Sequence, residues 1–172
     1  MAATAGAVAT TASNPGSTVQ DGDGDDDRPG SKRDSDNDEL LTFGSAAGAA
    51  DRQAIASLVT RYYAAAAAGD GARACSMLYW LVAEAIVEEH SRGKGPASLR
   101  GNTCAQVASK VFKQRHSELA QDVRALEVTQ LRLRAKRGWV RLRVGPTREL
   151  LVFVHRHNGV WQMNNLLDAG AP

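Results

Sequence analysis

Apolar side chains recur every three or four residues in the middle of this chain and every second residue in its last third. Ile55, Leu58, Val59, Tyr62 and Ala66 make one stripe on a helix. Gly69 ends that helix and Asp70 is placed to cap a second, with Cys75, Leu78, Tyr79, Val82 and Ile86 on one face. SRGKGPASLRGN breaks the pattern with Gly and Pro. Thr103 and Gln106 then fit a capping box, in which two side chains three apart satisfy free amides at a helix start. The third helix turns Cys104, Val107, Ala108, Val111 and Phe112 inward, and Lys110, Lys113 and Arg115 mostly away. From about residue 124 the period becomes two, through LRLRAKRGWVRLRV, LLVFVHRH and VWQMNNLL. Asn158-Gly159 predicts a two-residue hairpin turn, because both positions of that turn need positive φ. Helices followed by strands predict an α+β domain, three N-terminal helices packed on a curved four-stranded antiparallel sheet.

The segment LRLRAKRGWVRLRV nearly mirrors itself. A turn at Arg137-Gly138 would set Arg134 against Arg141 and Arg132 against Arg143, with Leu133 facing Leu142 on the opposite side. Such a hairpin is apolar on one face and carries four opposed arginines on the other, an arrangement that disfavours pairing by up to about 1 kcal/mol per pair. Arginine stems covering an exposed sheet face are the plain explanation. Three occupants also fit: the chain's own acidic residues 21–27, a second copy interleaving Glu127, Glu149 or Asp168, or an anionic polymer. Nucleic acid is the weakest of the polymers, since only Trp139 supplies a nearby ring for stacking.

Charge divides the chain in two. Residues 1–50 hold nine Asp/Glu against three Lys/Arg, a net −6, and the rest hold eighteen Lys/Arg against ten Asp/Glu, a net +8. Residues 1–48 lack the large apolar side chains needed to offset chain ordering and are expected to be a disordered acidic tail, with the folded domain over 49–170. MAATAGAVATTAS has neither the charge nor the hydrophobicity of an export signal, so membrane association would need a tether the sequence does not display. Cys75 and Cys104 have no CxxC or His cluster beside them, which argues against zinc and leaves two buried thiols or one disulfide. His155 and His157 share a strand face without a third ligand at a recognisable spacing, so no metal is expected. His90 and His116 are expected at helix ends, where a cation suits the dipole. No phosphate-binding loop, dinucleotide fingerprint or serine-nucleophile motif occurs, and no cofactor is expected. Tyr62, Tyr63, Tyr79 and Trp80 are the candidate lining of a ligand pocket.

IASLVTRYYAAAAAGDGARACSML and HRHNGVWQMNNLL, in this order and spacing, resemble the NTF2-like superfamily over about 51–168, the cone fold that includes SnoaL-like cyclases and ketosteroid isomerases. AGDGARAC with a downstream TCA is similar to a subgroup of small exported or lipid-anchored actinobacterial proteins. That likeness implies a Cys75–Cys104 disulfide and a cell-envelope or secreted location; cytoplasm is the alternative. The family fold implies a pocket between sheet and helices and a homodimer through the outer sheet face, near Arg132, Arg134, Arg141 and Arg143. In the isomerase branch a first-helix tyrosine, matched by Tyr62, donates to an enolate oxygen. The early carboxylate base has no counterpart in LYWLVAEAIVEEHSRGKGP, and Phe153 stands where the second acidic donor would be. With both acids missing, the expectation is a non-catalytic small-ligand-binding or protein-interaction domain. The alternative is an enzyme of the SnoaL or ketosteroid-isomerase type acting on a hydrophobic small molecule.

Overall fold

The computed structural model describes residues 42–91 and 96–167. The acidic residues 21–27 and Asp168 lie outside them. Within that range the chain is α+β, with five α-helices and an open five-stranded antiparallel sheet in the order β1-β2-β3-β4-β5. The elements are β1 (Ser45–Ala46), α1 (Ala49–Ala67), α2 (Gly71–Ser76), α3 (Trp80–Ser91), α4 (Cys104–Gln114) and α5 (His116–Asp122). There follow β2 (Leu126–Arg134), β3 (Arg137–Val144), β4 (Arg148–His157) and β5 (Val160–Met163).

The apolar stripe of α1 is buried as its spacing requires, and Gly69 leaves the helix at φ +72°. Asp70 caps α2 by accepting from the Arg73 amide at 3.0 Å. Thr103 accepts from the Gln106 amide at 3.2 Å, while Gln106 reaches back to the amide of Asn102.

Three features depart from expectation. The second predicted helix is two, because residues 77–79 are drawn alongside β5: the Tyr79 amide donates to Met163 O at 2.7 Å and the Met163 amide to Met77 O at 2.9 Å. A further helix, α5, follows α4, so His116 opens a helix rather than closing one. Finally, residues 45–46 pair with Arg132 and Leu133 as a fifth strand, and Ala47 is buried. The folded unit thus takes in residues that composition had placed in the tail.

The mirrored hairpin turns at Ala135-Lys136, two residues before the predicted bend. From Gln130 to Arg134 each β2 residue therefore faces a β3 partner four positions earlier than expected, an even shift that keeps those side chains on their predicted faces, whereas the bulge between Val128 and Gln130 adds one more position and turns Val128 to the inner face opposite Leu142. Arg134 pairs with Arg137, Arg132 with Trp139 and Gln130 with Arg141; past a bulge, Glu127 pairs with Arg143. One Arg–Arg pair remains at the turn, and the expected opposition of Arg134 to Arg141 and Arg132 to Arg143 does not occur. Gly138 explains the shift. It sits on the inner face between Leu133 and Val154, where a Cβ would lie 2.6 Å from Leu133 Cδ2 and 2.8 Å from Val154 Cγ2. This glycine serves close side-chain packing in the strand, not the turn. Ala135 bears the turn's positive φ of 53°, so Ala135→Gly should stabilise the fold by about 1 kcal/mol, read as a rise of a few degrees in the thermal midpoint. Asn158 and Gly159 have φ of 48° and 81°, the predicted tight turn.

Leu131, Val140, Leu142, Val144, Leu150, Val152, Val154, Trp161 and Met163 point inward and form one core with α1, α4, α5 and the segment after α2 through Ile55, Leu58, Tyr62, Leu78, Phe112 and Leu119. Cys75 of α2 and Cys104 of α4 form a disulfide with a Cα–Cα distance of 6.1 Å.

Candidate interaction surface

Strand alternation sends Arg132 and Arg134 of β2, Arg137, Trp139, Arg141 and Arg143 of β3, and Glu149, Leu151, Phe153, His155 and His157 of β4 to the face opposite the core. Trp139 and Phe153 are cross-strand neighbours, with rings edge to face at 5.4 Å. Phe43 lies on the other side of Trp139, stacked at 5.1 Å and 17°. Phe43 is held there by arginine: Arg132 Nε donates to Phe43 O at 3.0 Å and Nη2 to Gly44 O at 2.8 Å, while the Arg134 guanidinium sits 5.2 Å from the Phe43 ring. Gly44, at φ +54°, allows this approach, since a Cβ there would overlap Leu133 O.

The four predicted arginines are thus not a uniform cationic stripe. Arg132 satisfies backbone carbonyls and Arg134 covers a ring. Arg143 pairs with Glu127 at 2.6 Å and Arg141 with Glu149 at 3.8 Å, so those two acids interleave with arginines of their own chain. The face runs from a cationic end at Arg134, Lys136 and Arg137, through the aromatic strip, to a charge-mixed end at Glu127, Arg143 and Glu149.

Tyr79 extends the ring system along this face. It stacks on His155 at 4.2 Å, lies 5.8 Å from His157 and meets Trp80 edge to face at 5.9 Å. Burial, then the neighbouring His157, Lys136 and Arg137, hold the His155 imidazole below its ordinary pKa. Among the described residues no three His, Cys, Asp or Glu side chains converge as metal ligands would.

The four residues expected to line one pocket separate into two pairs. Tyr62 and Tyr63 are enclosed in the core, whereas Tyr79 lies on the outer sheet face beside Trp80, which is 46% exposed. The Tyr62 hydroxyl donates to Leu166 O, tying α1 to the segment after β5, and burial drives its pKa far upward. A shallow groove of about 490 Å³ along α3 is lined by Ala83, Glu84, Val87, Glu88 and Ser91 and includes none of the four.

A second polar cluster braces α5 against β4. Arg115 grips Glu118 through both carboxylate oxygens at 2.8 and 2.9 Å, and Arg148 bridges Glu118 at 2.7 Å and the buried Asp122 at 2.8 Å. Hydrogen bonding from Arg115 lowers the Glu118 pKa, whereas burial raises that of Asp122. The signs differ. Glu118 contributes stability above its ordinary pKa that is lost as pH falls through its depressed folded value. Asp122 contributes in the opposite sense, its share falling as pH rises through its ordinary range. Glu118→Gln should therefore lower unfolding free energy at pH 7, with the deficit closing in acid, as denaturant titrations at pH 7 and pH 3 would record.

Trp139 is not the face's only ring, contrary to what the sequence pattern suggests: Phe43, Phe153 and Tyr79 share the face with it. Phe153 was legible, because alternation in LLVFVHRH sets it opposite Val152 and Val154. Phe43 carried no such signal, lying in a stretch without periodicity. The chain matches no family model, no curated protein and no solved structure. No helix among the described residues is long and apolar enough to cross a membrane.

Proposed function

We propose that this chain is a non-catalytic interaction domain of the NTF2-like type that pairs with a second copy through the outer face of its sheet. The observation that carries this is the partly exposed strip of Phe43, Trp139, Phe153 and Leu151, bounded by a cationic end and a charge-mixed end. A two-fold axis near the strip would bring Lys136 and Arg137 of one copy over Glu127 and Glu149 of the other, the reciprocal arrangement an isologous contact needs. Sequence resemblance to the NTF2-like superfamily favours the same surface. The disulfide suits an oxidising compartment, consistent with the envelope or an exported location.

The alternative, an enzyme acting on a hydrophobic small molecule, relies on Tyr62, whose hydroxyl is already bonded to Leu166 O. Sedimentation equilibrium tests the proposal. A dimer is expected for the unmodified chain and for Tyr62→Phe, and a monomer for Lys136→Glu combined with Arg137→Glu. A monomer at all concentrations for the unmodified chain would overturn it.

A further inference from the structure

The cationic end of the sheet face has an imbalance that the far end of the same face lacks. Among the described residues no carboxylate pairs with Arg134, Lys136 or Arg137. Arg134 and Arg137 are nevertheless directly opposed across the ladder, at the tightest part of the hairpin. At the other end of the face, Arg141 and Arg143 have Glu149 and Glu127. A surface with one end neutralised from within and the other left cationic invites an acidic occupant.

The chain supplies one. All nine carboxylates of the first fifty residues fall between Asp21 and Glu39, against Arg28, Lys32 and Arg33. That segment leads directly to Phe43, which the structure fixes beside Arg132 and Arg134. Glu39 is four residues from that anchor and Asp27 sixteen, separations that span at most about 13 Å and about 53 Å. A group attached by so short a connection has an effective concentration in the millimolar range. Weak charge pairing then suffices for occupancy.

We propose that residues 21–39 of this same chain dock in cis on the end of the sheet formed by Arg134, Lys136 and Arg137. The segment then competes with the Glu127 and Glu149 of a second copy for the same cations, and ionic strength sets the balance. Docking in cis goes beyond the dimer reading and does not depend on it; only the competition does.

Lys136 makes the two separable in one experiment. An equal mixture of ordinary and nitrogen-15-labelled full-length chain is treated with a zero-length carbodiimide, and cross-linked peptides are sequenced by mass spectrometry. Docking in cis gives Lys136 joined to carboxylates of residues 21–39 in peptides of a single isotope, at least fivefold weaker at 0.5 M than at 20 mM salt. Mixed-isotope products between Lys136 and Glu127 or Glu149 report the dimer independently. Absence of the single-isotope product at low salt overturns docking. So does a product in which about half of the cross-links are mixed-isotope, the statistical share for contact between copies in an equal mixture, which would place the segment on the other copy.

Discussion

Trp139→Asp should raise the dimer dissociation constant at least 100-fold, about 2.7 kcal/mol, while leaving a folded monomer. The expectation follows from where the indole lies. Trp139 is the middle ring of three, stacked on Phe43 and edge to face with Phe153, on a face whose flanks are charged. A central aromatic residue ringed by polar side chains is where association energy concentrates, and a carboxylate there must be desolvated without a partner. The same rings also pin residues 43–46, so the monomer should lose about 1 kcal/mol from broken aromatic contacts. Circular dichroism at a temperature well below the midpoint separates this from unfolding. Sedimentation at several concentrations gives the dissociation constant. An unchanged constant would remove Trp139 from the contact.

Cys75→Ser with Cys104→Ser should lower unfolding free energy by roughly 3–4 kcal/mol, and the thermal midpoint by about 10 °C. The bridge closes a chain separation of 29 residues that includes all of α3 and the break after it. Without it, that stretch is held by the packing of α2 on α4, where Gly71 donates to Ser109 Oγ at 3.2 Å and Ser109 Oγ donates to Gly69 O. A Cβ on Gly71 would collide with Ala105 O, so this crossing tolerates no larger side chain in compensation. Reduction of the unmodified protein should reproduce the shift, and a midpoint insensitive to reductant would contradict the role assigned to the bridge.

Periodicity resolved the helices and strands that bury one whole face. The α1 stripe and the alternation from Val140 to Val154 are strong because each element has an apolar side and a wet side. It failed where tertiary contacts overrode local preference. Leu78 and Tyr79 continue a helical pattern in sequence, yet β5 captures their backbone. Gly138 reads as a turn residue in sequence because glycine usually supplies positive φ, whereas in the fold it makes room between Leu133 and Val154. The arginine pattern was legible as a face but not as a set of partners. Sequence could not show that Arg132 binds the Phe43 and Gly44 carbonyls, since those lie 88 to 89 residues away. Nor could the pocket be judged from spacing: Tyr62 and Tyr79 each fit a helical stripe, but one is core and the other lies on the outer face.

Hydroxyl-radical footprinting of the full chain across its dissociation concentration puts the surface to the most direct trial. Protein held well above that concentration should show Phe43, Trp139 and Phe153 protected severalfold relative to dilute protein, with the buried Trp161 unreactive throughout. If labelling of those three rings is the same at both concentrations, the sheet's outer face is not where two copies meet.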